Sequence, residues 1–367
     1  MKTIKITITL LAFCNVLFAC QPSKGIIKKS EFIFHPGDVS FRSCHASTIT
    51  ETDEGLMVAW FGGTHEKNKD VGIWVSKYIN GNWTKPVEVA NGVQHKDKRY
   101  PCWNPVLFSN GDEIKLFYKV GPNCADWWGE VISTNNFGET WSASRRLPED
   151  IWGPIKNKPV MLKNGDLICP SSTEYDGWRV HVEITSDMGN TWERTRALND
   201  GKKLSVIQPT LLVHGDKKLQ MLCRSKNNRI MSSWSDDAGR TWTGFEPIAL
   251  PNPNSGIDAV TLADGRFLLV YNHIGIDKSK WGKRNILNLA VSENGVDWEA
   301  VALLENDPDK NAEYSYPAVI QSKDGLIHIT YTWKRESIKH LVIDLGNVKA
   351  KPIKNGLWPE GMGIIPN

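Results

Sequence analysis

Short apolar runs and polar turns alternate along the chain from about residue 40, and stretches with a helical period are hard to find. Six turns have hairpin chemistry: Glu54-Gly55, Asn110-Gly111-Asp112, Asn164-Gly165-Asp166, Gly215-Asp216, Ala263-Asp264-Gly265 and Lys323-Asp324-Gly325. Each leads into an apolar strand, at residues 56–60, 114–118, 167–169, 219–223, 267–271 and 326–331. A second phrase recurs between these hairpins, a turn that ends in tryptophan. Its full copies are Thr134-Asn135-Asn136-Phe137-Gly138-Glu139-Thr140-Trp141, Thr185-Ser186-Asp187-Met188-Gly189-Asn190-Thr191-Trp192 and Ser235-Asp236-Asp237-Ala238-Gly239-Arg240-Thr241-Trp242. Shorter forms end at Trp83 and Trp298, and the five tryptophans are 58, 51, 50 and 56 residues apart. A period of that size marks a repeated supersecondary unit. Within the phrase, Gly supplies positive φ and the Asp, Asn and Thr side chains bond the turn backbone. The Trp fills the apolar gap beneath.

Six hairpins, five of them followed by a tryptophan turn, predict six four-stranded blades. The fold class expected is all-β, a six-bladed β-propeller, and the absence of a break in composition places it in one domain. Residues 338–351 would complete the sixth blade or close the ring with an N-terminal strand. A ligand site is expected where the inner strands converge on the axis.

Composition changes this picture little beyond the abundance of Trp, at 16 residues. A net charge of +3 leaves no strong electrostatic footprint for nucleic acid, so no nucleic-acid partner is expected. At the start of the chain, Lys2 and Lys5 precede an apolar run, residues 6–19, too short to span a bilayer comfortably. It ends Leu17-Phe18-Ala19-Cys20, which resembles a bacterial lipobox. That resemblance implies a signal peptide at 1–19, a lipidated Cys20 opening a polar tether at 20–35, and a propeller over 36–367. The protein would then sit in a Gram-negative cell envelope, touching membrane through its lipid alone. After Cys14 and Cys20, five cysteines remain, and an odd number in an oxidising compartment leaves at least one free thiol. No metal-ligand spacing, phosphate loop or nucleotide fingerprint is present, so no metal or cofactor is expected.

The tryptophan phrase resembles the Asp box of the sialidase superfamily, and the resemblance extends over essentially all of the chain after the signal. In that family the boxes are structural. The site holds a sugar carboxylate with three arginines and uses a tyrosine nucleophile assisted by a glutamate, with a loop aspartate as acid/base. By motif, Arg224 and Arg284 match the second and third arginines, since a planar guanidinium binds a carboxylate bidentately. Tyr314, in Tyr314-Ser315-Tyr316-Pro317, matches the nucleophile. Two positions depart. His45 stands where the first arginine belongs, with Arg42 three residues earlier, and Gln208 stands where the assisting glutamate belongs. Glu313 and Glu174 stand as substitutes for that base, though the motif places neither. Glu66 and Asp70, after the first hairpin, are the acid/base candidates. Arg99, Trp103, Asn104, Lys158, Glu174 and Asp258, at the expected starts of inner strands, are candidate substrate contacts, with Lys119 and His273 at strand ends.

The resemblance implies an exo-acting glycoside hydrolase of the sialidase type, a monomer that removes a terminal acidic sugar from a glycan or oligosaccharide substrate. Two alternatives stay open: an atypical glycosidase or polysaccharide lyase on uronic-acid glycans, with His45 or Tyr314 as base and acid, and a non-catalytic glycan-binding lipoprotein.

Overall fold

The computed structural model describes residues 25–111, 113–276, 282–346 and 348–362. The expected signal peptide at 1–19, Cys20 and Asp112 of the second hairpin turn lie outside the described residues. Six antiparallel sheets of four or five strands succeed one another along the chain, as the six hairpins predict. The second strands of the blades are Gly55–Gly63, Glu113–Val120, Leu167–Thr173, Leu219–Ser225, Phe267–Tyr271 and Ile327–Trp333. The helical content of the described residues is a single 3-10 turn, Pro36–Asp38.

Ring closure differs from the expected tether. Ile27–Phe32 pairs with Ser337–Ile343 as the outermost strand of blade six, so the fold begins before residue 36. Lys28, Lys29, Ser30 and Glu31 are polar, so this strand has no apolar run in the sequence, and as an outer blade strand it buries little. Ser337–Ile343 supplies the third strand of that blade, and Lys351–Pro352 adds a fifth strand to blade five.

The tryptophan turns fasten each blade to the one before it. In the box of blade four, Asp237 Oδ1 accepts from Thr241 N at 2.8 Å, Asp237 Oδ2 accepts from Thr241 Oγ1 at 2.6 Å, and Gly239 N donates to Ser235 Oγ at 2.9 Å. The box at Asp187 repeats these bonds, and the one at Asn136 keeps the two backbone bonds while its amide Nδ2 donates to Thr140 Oγ1. Their tight geometry needs two successive residues at positive φ, Ala238 and Gly239 in blade four. The box then presses on its predecessor: Arg240 bridges to Asp166 of blade three, and Trp192 stacks edge-on against Phe117 of blade two. Trp83 does the same job by other means. It lies in an extra outer strand of blade one, packs on Tyr78 and His340, and donates its indole N–H to Glu31 of blade six.

Polar groups plug part of the axis. Lys156 is buried, and its Nζ donates to Asn157 Oδ1, the Ile257 carbonyl and the Pro317 carbonyl, tying blades three, five and six. Asp258 accepts from Lys158 Nζ, Thr210 Oγ1 and Val319 N, each at 2.9 Å.

Candidate active site

Chain direction decides which end of the ring carries chemistry. The first strand of each blade starts at one face, the second returns to it, and the Asp boxes close the opposite face. The first face therefore collects inner-strand beginnings and the loops after second strands. On it lies a cavity of about 970 Å³.

A repeated local distortion aims side chains into this cavity. In blades one, two, four and six the first strand carries a bulge near its start. At the bulge sits a non-glycine residue at positive φ: Ala46 at 58°, Asn104 at 22°, Gln208 at 54° and Tyr316 at 52°. Such backbone is costly for residues with a Cβ and concentrates at functional sites. In three blades a proline follows, at Asn104-Pro105, Gln208-Pro209 and Tyr316-Pro317, and it needs no ladder N–H where the pairing is broken.

This geometry corrects the tyrosine. Tyr316 lines the cavity; Tyr314 faces away, donating its hydroxyl to Asp307 at 2.7 Å and packing on Trp333. Only Ser315 lies between them, and the register shift that follows it puts the bulge residue, not the strand's first residue, at the mouth. The recurring residue-before-proline was the sequence signal for this.

Around Tyr316 the expected arginines converge. Arg224 Nη1 donates to the Tyr316 hydroxyl at 2.5 Å and to Gln208 Oε1 at 3.0 Å, and its Nε donates to Asn254 Oδ1. The Arg284 guanidinium lies 5.8 Å from the centre of the Tyr316 ring and donates to Glu313 Oε1 at 2.9 Å. A third guanidinium comes from a residue that motif matching did not find. Arg335 occupies the turn after the second strand of blade six, at φ 61° beside Lys334 at 51°. It donates to Glu313 Oε2 at 3.0 Å and to Glu66 Oε2 at 2.6 Å. A turn with two positive-φ positions favours Asn-Gly, and Lys-Arg there is the kind of broken local rule that marks a site.

His45 stands beside this third arginine. It is buried, its ring centroid is 4.0 Å from that of Tyr316, and Nδ1 is 2.9 Å from Thr332 Oγ1. Its Nε2 has no partner among the described residues. Burial, helped by the Arg335 charge, pushes the imidazole well below its ordinary value, so it is neutral at physiological pH. Burial pushes the Glu313 carboxyl up, but the Arg335 and Arg284 guanidiniums around it prevail and hold it below the usual carboxylate range. Glu174 goes the other way: burial raises it, and the opposing pull of Arg224 is too weak to cancel that. Glu313 is thus an ionised clamp between two arginines, while Glu174 retains its proton to higher pH.

Of the other expected residues, Glu66, Trp103, Asn104, Glu174 and Gln208 line the cavity, with Trp127 and Trp178 as further aromatic wall. Asp70 does not: its carboxylate accepts from Thr64 N and Thr64 Oγ1 and holds the loop in shape. Arg99 lies outside too, donating to the Asp70 carbonyl and pairing with Glu88 at 3.5 Å. Asp258 and Lys158 belong to the axial plug. Lys119 is buried against the Pro154 carbonyl, and His273 is bonded to Tyr271 and the Gly356 carbonyl. All five described cysteines are free, with Cys124 half-buried at the cavity wall. Among the described residues, no group of three or more His, Cys, Asp or Glu is placed to hold a metal ion. None of their helices is long and apolar enough to cross a membrane.

Fold and site together define a sialidase-like β-propeller. The chain belongs to the BNR repeat-like domain family, whose model matches residues 54–329. No curated protein sequence matches it significantly. Solved sialidase structures share the fold at low identity. NanB sialidase from Streptococcus pneumoniae (K499G mutant) aligns at TM-score 0.69 and 13% identity, over 92% of this chain and 73% of that one. The Hadza microbial sialidase Hz136 aligns at TM-score 0.72 and 15% identity, over 87% and 69%. The intramolecular trans-sialidase from Ruminococcus gnavus, in complex with oseltamivir carboxylate, aligns at TM-score 0.67 and 14% identity, over 87% and 98%.

Proposed function

We propose that the protein is an exo-acting glycoside hydrolase that removes a terminal acidic sugar with retention. One observation carries this reading: three guanidiniums, Arg224, Arg284 and Arg335, line one cavity with Tyr316, Arg224 on its hydroxyl and Arg284 beside its ring. A cluster of arginines suits a carboxylate, and a neutral nucleophile beside them avoids repelling the anion it serves. In this reading Arg335, reaching in from blade six, takes the task that His45 cannot perform from blade one.

Tyr316 Oη attacks the anomeric carbon as the bond to the leaving oxygen breaks. The phenolic proton passes to His45, whose open, neutral imidazole supplies the acceptor that Gln208 cannot be. Arg224, already on the phenol oxygen, stabilises negative charge as it develops there. Glu174, with its raised carboxyl, donates the proton to the leaving oxygen. Water then attacks the anomeric carbon as the tyrosyl–sugar bond breaks, giving its proton to Glu174, while the His45 imidazolium returns its proton to the phenolate oxygen.

The His45–Tyr316 pair also supports a second reading, elimination on a uronate, with the imidazole abstracting the proton next to the carboxylate. The experiment separates the two. Wild type and Tyr316→Phe are run side by side on a panel of sialosides and glucuronides, reading released sugar and ultraviolet absorbance. Released saturated sugar, lost in Tyr316→Phe, is expected. New absorbance from an unsaturated product would favour the lyase, and equal activity of the two proteins would end both readings.

A further inference from the structure

The charges lining the cavity fall into two tiers. At the bottom, Arg224, Arg284 and Arg335 face Glu66, Glu174 and Glu313. At the rim stand Lys67, Lys226, Lys283 and Lys310, all exposed. Seven basic side chains and three carboxylates line the cavity, so its basic groups outnumber its acidic ones by four.

The lysines come from separate parts of the ring. Lys67 lies in the loop after Gly55–Gly63 of blade one and Lys226 just after Leu219–Ser225 of blade four. Lys283 precedes Ile286–Ser292 of blade five, and Lys310 lies in the connection to blade six. Lys226 Nζ lies 3.8 Å from the centre of a Trp178 ring, and Lys283 Nζ reaches Asn311 Oδ1 at 3.5 Å. Among the described residues, Lys67, Lys283 and Lys310 form no ion pair. Gathering like charges around one opening costs self-repulsion, which a ligand bringing its own anions relieves. A lone terminal acid does not use this rim, because the three arginines below already serve its one carboxylate.

We propose that the natural ligand is an extended acidic glycan. Its units beyond the terminal sugar also carry carboxylate or sulfate groups, and the Lys67, Lys226, Lys283 and Lys310 rim holds them. The inference rests on the carboxylate-binding reading of the arginines for the terminal unit only. The lysine–Trp178 contact gives the second unit a charged edge against an aromatic face.

The test is calorimetric titration of the Tyr316→Phe chain, which lacks the attacking hydroxyl. The probes are an α2,8-linked sialic-acid tetrasaccharide, a sulfated chondroitin tetrasaccharide, neutral cellotetraose and free sialic acid. At least one acidic tetrasaccharide is expected to bind more tightly than the free sugar, and the advantage should shrink as salt rises from about 0.03 to 0.3 M, where exposed charges are screened. Adding Lys67→Ser, Lys283→Ser and Lys310→Ser together should weaken that tetrasaccharide about tenfold relative to free sialic acid and flatten its salt dependence. Equal affinity for acidic and neutral tetrasaccharides, an unchanged ratio in the triple variant, or no binding of either acidic oligomer overturns the rim. Failure of the hydrolase reading looks different: salt-dependent, lysine-dependent binding would persist while the unsubstituted protein released no sugar.

Discussion

Two tyrosines two residues apart have opposite fates, and the backbone decides between them. Tyr316 sits on a bulge at positive φ, with its hydroxyl on Arg224; Tyr314 sits at the strand's first position, with its hydroxyl on Asp307. Removing one hydroxyl from each gives a sharp contrast. Tyr316→Phe is expected to lose at least about a hundredfold in kcat with an unchanged melting temperature. Tyr314→Phe is expected to keep turnover within a small factor and lose roughly 1 kcal/mol of stability with its hydrogen bond. The proton donor has its own signature. Glu174 is shifted upward by burial, so as the proton donor it sets the alkaline limb of kcat, which falls at a higher pH than an unshifted carboxyl would place it. Glu174→Gln should slow release of poor leaving groups far more than of nitrophenol, because a good leaving group needs no proton. The pH–rate profile of Glu174→Gln on both kinds of substrate checks this. Equal slowing on the two would take the acid role away from Glu174.

At the scale of the element, the Asp box is a fastener rather than a reagent. Its carboxylate bonds lie within one turn, its tryptophan and arginine press on the preceding blade, and it occupies the face opposite the cavity. Asp237→Ala should therefore lower unfolding free energy by about 1–2 kcal/mol, the cost of a few part-exposed turn bonds, and leave KM unchanged. Chemical denaturation alongside steady-state kinetics distinguishes this from a site effect: activity lost at full stability would contradict it. The inner-strand bulges work the other way. They give up ladder bonds in four blades and place Asn104, Gln208 and Tyr316 at the mouth, so irregularity in the sheet is where the site is made.

For the whole molecule, closure and acid sensitivity are linked. The N-terminal strand closes the ring through its pairing with Ser337–Ile343, and Glu31 receives bonds from both Trp83 and His340. His340 stacks on His328, with rings 5.2 Å apart. Burial lowers His328 to about 4, aided by His340, and lowers His273 to about 4 as well. Both titrate near 6.5 when unfolded, so between these values the unfolded chain binds more protons than the folded one. Stability should therefore rise with pH through that window and fall as pH drops from 6.5 towards 4. His328→Gln should flatten part of the slope. Melting temperatures across the window for wild type and this variant provide the measurement, and a flat wild-type curve would refute the linkage.

The sequence alone determined the architecture, because repeated hairpins and tryptophan turns are local chemistry at a fixed period. It also reached Arg224, Arg284, Gln208, Glu66 and His45, whose strand-end positions follow from motif order. Tertiary structure decided what depends on direction and closure. A two-residue register at a bulge replaced Tyr314 with Tyr316. Packing of one blade on the next brought Arg335 beside His45, from a turn almost three hundred residues further along. Asp70, Arg99 and Asp258 are polar and near strand starts, yet partners fixed by the fold turned them to the loop, the blade edge and the axis. Strand periodicity tells which residues share a face; only the closed ring decides which of them meet.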